Sequence, residues 1–223
     1  MGCKDSMRNL CFKIIILILI TSCSHVGIYE ELGTYFKNIF SEPDDLSFEE
    51  VNRVKFASIQ MRIGNNPNTL IVLEEDKQGI LKWTSSNAIK IYTKKGIITR
   101  FMGIENELDI LEVDKDHPIL KESLSKEKII NLTSFYTFRN PDLFRLPVKT
   151  KFYYSDSEDL EILGKIYKVD IYKEEAQDNL INWKFTNLFW VNQETKKVIK
   201  STQSITPKNP KVHFAITRNY VKQ

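Results

Sequence analysis

The chain has 223 residues, of which 42% are hydrophobic, 27% charged and 11% aromatic, with eight glycines and seven prolines. That composition can build a packed core and excludes collagen, coiled coil and long disorder. Setting aside residues 1–22, which hold Lys4, Arg8, Lys13 and Asp5 of the 32 basic and 29 acidic groups, lowers the formal charge from +3 to +1, too small an excess for the concentrated basic face of a nucleic-acid binder.

Residues 1–22 read as an address segment. Lys4, Arg8 and Lys13 precede the seven-residue apolar run 14–20, far short of the ~20 apolar residues that cross a bilayer but suited to a secretory signal. The run ends in Ile20-Thr21-Ser22-Cys23. An aliphatic residue, two small residues and a cysteine resemble the lipobox of bacterial lipoproteins. Small side chains let the peptidase reach the backbone before Cys23, whose thiol takes the diacylglycerol. The alternative is an ordinary signal with an incidental cysteine; Met7 is a second possible start. Cys3 and Cys11 fall in the removed segment, so the mature chain keeps Cys23 alone. A secreted domain lives where disulfides form, and this one has no thiol pair. Each buried methylene contributes roughly 0.8 kcal/mol, and two or more acyl chains hold a protein stably; the resemblance implies three. Residue 24 is serine, not aspartate, which by analogy with enterobacterial sorting favours the outer membrane, periplasmic face.

Residues 26–40 have helical spacing through Ile28, Leu32, Tyr35, Phe36 and Ile39, ended by Pro43. A second short helix is expected over residues 47–51, with Ser47 as cap and Glu50 three residues on. From Lys55 the pattern turns to strands. Ala57, Ile59, Met61 and Ile63 alternate with polar neighbours, and 64–68 (GNNPN) is a turn. Strands follow at 69–74 and 79–83. Residues 89–102 read as a hairpin with Gly96 at the turn, where a positive φ is required. The charged stretch 114–128 reads as a loop with a helical turn near 119–124. Strands resume at 131–139, 148–154, 165–174, 183–191, 197–205 and 211–221, with turns at 140–142 and 156–159. In the last strand Val212, Phe214 and Ile216 face one way and His213, Ala215 and Thr217 the other. Lys94-Lys95 and Lys196-Lys197 fall at hairpin tips.

About ten strand candidates and almost no helix after residue 52 predict an all-β body, a large antiparallel sandwich or barrel-like sheet behind a short N-terminal helical segment. The domain reading is 1–22 signal peptide, 23–52 lipidated N-terminus and helical clasp, 53–223 antiparallel β domain.

Signals for chemistry are weak. His25, His117 and His213 have no metal-like partner at short spacing, and there is neither a Gly-x-Ser-x-Gly elbow nor a phosphate loop; no metal, cofactor or catalytic residue is expected. Acid pairs for glycan cleavage would come from Glu74-Glu75-Asp76, Glu105 with Glu107, or Asp156 to Asp159, mostly at expected turns. Flat rings stack on sugars, which makes Trp83, Trp183 and Trp190 the candidate glycan contacts. The competing reading is core packing, and Trp190, between Phe189 and Val191, points that way.

Residues from about 36 to 221 resemble the YjbF/GfcB-type group 4 capsule polysaccharide lipoproteins. The segments that carry the resemblance are Trp83-Thr-Ser-Ser-Asn-Ala88, Gly96-Ile-Ile-Thr-Arg-Phe-Met-Gly103 with Leu108 beyond it, and Phe189-Trp-Val-Asn-Gln-Glu-Thr195 running into Val198-Ile-Lys-Ser201 and Gln203. Lys196-Lys197 departs from it, since relatives often carry glycine in that turn, as does the charged insert 114–128. The resemblance implies an all-β, lipid-anchored periplasmic protein serving capsule or exopolysaccharide secretion or assembly, with a membrane, a polysaccharide and export-machinery proteins as partners. It implies no enzyme. The other readings are a glycan-modifying enzyme with paired carboxylates and a carrier of lipid or another apolar ligand in an open β-barrel.

Overall fold

The computed structural model describes residues 46–219. The signal segment, Cys23, His25 and the helix expected over 26–40 lie outside the described residues. Ser47 and Glu50 form the expected capping box: Ser47 Oγ accepts from the Glu50 amide at 3.3 Å, and a Glu50 carboxylate oxygen accepts from the Ser47 amide at 2.8 Å. The result is α1 (Phe48–Asn52). It is held to the strands by the Leu46 amide on Gln60 Oε1 at 3.3 Å and by Arg218 donating to Asn52 Oδ1 at 3.1 Å.

Twelve strands follow: β1 (Ser58–Ile63), β2 (Thr69–Lys77), β3 (Ile80–Thr84), β4 (Lys90–Lys94), β5 (Ile97–Met102), β6 (Glu107–Glu112), β7 (Ile130–Arg139), β8 (Leu143–Ile162), β9 (Lys165–Asp178), β10 (Trp183–Asn192), β11 (Val198–Gln203) and β12 (Val212–Arg218). Each pairs antiparallel with the next, and β12 pairs with β1, so the expected all-β body is a closed up-and-down barrel rather than a two-sheet sandwich. Closure leaves no unpaired edge. Apolar residues point inward and charged ones outward, as in Val148, Thr150 and Phe152 against the exposed Lys149 and Lys151. A membrane-spanning barrel carries its apolar band on the outside.

Two expectations change. The sequence reading assigned no strand to 107–112, which is β6. The acidic run 156–159, expected as a turn, lies inside β8, with a bulge between Tyr154 and Asp156. The turn comes at Leu163-Gly164, both at positive φ, the two-residue form that suits strand twist. Two pairs across the ladder help hold this run in the strand: Asp159 stands opposite Lys168, an opposite-charge pair, and Ser157, opposite Asp170, donates its hydroxyl to that carboxylate at 2.7 Å.

The lumen is filled by two apolar clusters, one around Trp83, Phe101, Tyr136 and Trp183 and one around Phe152, Tyr172 and Phe189. In the loop 114–128 the expected helical turn is α2 (Pro118–Lys121), capped by His117, and Ile119 packs into the second cluster with Leu120 and Leu124. A third cluster joins Leu160, Ile162 and Val169 to Ile199, Ala215 and Trp190. The far end of the β8–β9 hairpin therefore folds over the outer side of β10–β12.

Candidate functional site

Strand parity decides the fate of the three tryptophans. Trp83 and Trp183 take inward positions and are only 4% and 6% exposed. Trp83 Nε1 donates to Thr93 Oγ1 at 2.9 Å; the Trp183 ring lies 4.2 Å from that of Phe185 and 5.3 Å from that of Tyr136. Both are core side chains, out of reach of a glycan. Trp190 faces outward and is half-buried, its Nε1 donating to Glu158 Oε1 at 2.6 Å and Lys200 Nζ 5.0 Å over its ring, so one sugar-stacking face is already taken. The acidic sets are spread over separate parts of the wall. Glu74 on β2 accepts from Lys82 and Thr84, Glu107 at the start of β6 accepts from the Gly103 amide, and residues 156–159 lie on β8.

Polar residues that the sequence reading passed over meet inside the barrel. Glu174 on β9 and Asn187 on β10 stand directly opposite each other, and Asn187 Nδ2 donates to Glu174 Oε2 at 2.9 Å. Asn187 Oδ1 accepts from the Ser204 amide at 2.8 Å. Gln203 spans the lumen from β11 to β5: its Oε1 accepts from the Ile98 amide at 3.0 Å, and its Nε2 donates to Gly96 O at 2.9 Å and Ser201 Oγ at 2.8 Å. Gly96, Ile98, Phe189, Ser201 and Gln203 all belong to the segments that carry the family resemblance.

His117 completes this centre. Its Nδ1 accepts from the Ile119 amide at 3.2 Å, so the neutral ring carries its proton on Nε2, which points at Glu174 Oε1 from 3.8 Å, beyond hydrogen-bond range. Burial pushes the imidazole below its ordinary 6.5 despite the nearby Glu174 charge. Beside it, burial also drives the Tyr136 phenol far up. The cavity these groups share with Ser134 and Ile205 measures about 10 Å³, about one water in size. A ligand pocket needs several hundred Å³. The centre is a polar layer between two apolar clusters, and its chemistry is structural: it satisfies backbone groups inside the barrel.

An accessible concavity lies on the outer face of β7–β10, a cleft of about 810 Å³. The pairing register lays two polar rows across four strands: Asn131, Lys151, Glu175 and Thr186 in one, Thr133, Lys149, Gln177 and Lys184 in the other. The inward row between them is Leu132, Thr150, Ala176 and Phe185, and its packing fixes which residues face out. Asp114 closes one side. Its carboxylate accepts from the Thr133 and Asp116 amides at 2.8 and 2.9 Å, and these two bonds hold it below the ordinary aspartate range. Glu175 accepts from the Tyr153 hydroxyl at 2.6 Å, the bond that chiefly raises that phenol.

Known proteins match the chain nearly end to end. The uncharacterized lipoprotein GfcB of Escherichia coli K12 is 22% identical over 202 residues, 89% of this chain and 92% of that protein. The uncharacterized lipoprotein YjbF of the same organism is 20% identical over 189 residues, 81% of this chain and 84% of its own. The crystal structure of the hypothetical lipoprotein YmcC of E. coli K12 superposes with a TM-score of 0.68 at 16% identity, covering 84% of this chain and 96% of that one, which establishes the shared fold. Residues 29–216 match the model of the group 4 capsule polysaccharide lipoproteins GfcB and YjbF, and to that family this chain belongs.

Proposed function

We propose that the protein is a lipoprotein held through Cys23 at the periplasmic face of the outer membrane, where it serves capsule or exopolysaccharide secretion or assembly by binding rather than by catalysis. The observation that carries this reading is the family match over residues 29–216, beginning just past the lipobox cysteine. The filled lumen supports it against a carrier of apolar ligands, since about 10 Å³ holds no acyl chain. The scatter of the acidic sets supports it against a glycan-cleaving enzyme. Export-machinery proteins are the expected partners.

Deleting the gene and measuring surface polysaccharide tests the proposal. A fall in the amount, or a change in chain length, is expected; unchanged amount and chain length would overturn it. Conversion of the purified polysaccharide by the protein, lost on one carboxylate-to-amide change, would replace binding with catalysis.

A further inference from the structure

We propose that the cleft on the outer face of β7–β10 is a binding site for an acidic polysaccharide, laid across the strands. This deepens the function proposed above and rests on it for the polysaccharide. The acidic character and the location come from the cleft itself.

Three lysines line it. Lys149 and Lys151 share one face of β8, about 6.8 Å apart along the strand, and Lys184 stands two strands over, about 9.6 Å from Lys149. All three side chains are exposed. Among the described residues none of these ammonium groups has an ion pair or hydrogen bond. Lys211 adds a fourth at the β10 rim, its Nζ donating to the neutral Thr186 carbonyl at 3.1 Å. The two carboxylates of the cleft are already engaged, Asp114 by two backbone amides and Glu175 by Tyr153. Like charges this close, about a Debye length apart at ordinary salt, repel one another, and an arriving anion relieves that repulsion. Three lysines against two carboxylates leave the cleft a formal charge of +1, which Lys211 at the rim raises to +2.

The register says what shape an anionic partner has. Along each row a polar side chain recurs at every strand, about every 4.8 Å, and the rows mix ammonium groups with amides, hydroxyls and the one Glu175 carboxylate. Amides and hydroxyls both donate and accept, as the hydroxyls of a sugar require, while the lysines meet carboxylates or other acidic substituents. A linear, hydroxyl-rich polyanion lying across the strands finds a partner at each step. The one aromatic residue of the lining, Phe185, points into the core with its ring 4.2 Å from that of Trp183, so recognition there runs on charge and hydrogen bonds and not on ring stacking, and binding should weaken steeply with salt.

The test uses the full-length protein in detergent and polygalacturonate as the acidic glycan, with dextran as the neutral glycan and double-stranded DNA as a polyanion without sugar-ring carboxylates. The expected result is binding of polygalacturonate that falls at least tenfold in the triple variant Lys149→Gln, Lys151→Gln, Lys184→Gln. A control with the same charge change elsewhere, Lys77→Gln, Lys94→Gln, Lys208→Gln, should bind as the parent does. Equal loss in the control, undiminished binding by the first triple variant, equal retention of dextran or equal retention of DNA would each overturn the proposal. A cellular arm separates it from the broader reading. If deletion lowers surface polysaccharide and the cleft variant restores it fully, the cleft assignment fails and the broader function stands. If deletion changes nothing, the function itself fails.

Discussion

Between Gly96 and Phe101, β5 has a full neighbour on one side only, because its register with β6 comes down to Phe101 opposite Leu108. The Gln203 amide fills the gap, accepting from Ile98 and donating to Gly96 as a neighbouring strand would. Removing a buried partner leaves the other group unsatisfied at a cost of about 1–3 kcal/mol. Gln203→Leu keeps the volume and strands two backbone groups, so urea unfolding should show a loss of roughly 2–4 kcal/mol; a loss near zero would mean that water or a shifted strand takes over. His117 makes a different prediction. Its folded pKa lies below the ordinary 6.5 because of burial, so the unfolded chain binds more protons below that pH. Stability is then complete above about pH 6.5 and declines as pH falls toward the folded value, by at most about 1.4 kcal/mol per pH unit. His117→Asn keeps a capping acceptor for the Ile119 amide and should flatten the dependence between pH 6.5 and 5; an unchanged slope would assign it elsewhere. Neither residue was picked out by patterning, which treats polar residues as surface. A signal was there in the parity: Asn187 sits between Phe185 and Phe189, and Glu174 between Tyr172 and Ala176, each a polar side chain in an apolar register.

Strands with clean alternation, β4 and β7, were legible because one face is core and the other is largely open to water; β1 and β12 alternate in sequence although part of their outer face is covered too. β6 was not legible, since Ile110-Leu111 breaks alternation at a register shift between Leu108 and Ile110. The far half of β8 was hidden for another reason. It runs past the barrel wall, so its acids face solvent in a strand whose pairing partner, β9, is the only thing that reveals it. The cleft was equally hidden, because neighbours across strands are set by register and not by sequence distance. Turn chemistry was legible and quantitative. Gly96 has φ +90 and a Cβ built there would lie 2.5 Å from Val198 Cβ, so Gly96→Ala combines backbone strain with a clash. Lys196 has φ +57, a left-handed conformation that costs a side chain about 1–2 kcal/mol. Lys196→Gly should therefore raise stability by up to roughly 1 kcal/mol once the freedom glycine gains in the unfolded chain is counted, while Gly96→Ala should lower it by about 2 kcal/mol or more. Paired thermal melts distinguish the two, and a destabilising Lys196→Gly would mean that the lysine stem packs usefully in that turn.

At the scale of the molecule, closure makes the barrel self-sufficient. Every strand has a neighbour on each side, β5 and β6 meeting only at Phe101 and Leu108, and the described residues include no helix long and apolar enough to cross a membrane. In the function proposed above, attachment falls to the N-terminal segment and the barrel carries the rest. Two changes separate folding from anchoring. A chain beginning at Pro43, the boundary of the larger compact unit, should unfold in one cooperative step at nearly the full-length midpoint, because α1 and all twelve strands are retained. In cells, Cys23→Ser should leave the barrel folded while abolishing incorporation of labelled fatty acid, since the serine hydroxyl replaces the thiol that the diacylglycerol needs. If Cys23→Ser also lowers surface polysaccharide as far as deletion does, position at the membrane is part of the function; if polysaccharide is unaffected, the barrel works without its tether. Fatty acid still attached to Cys23→Ser would overturn the anchor assignment outright, and a Pro43 fragment that melts well below the full-length protein would overturn the barrel's self-sufficiency.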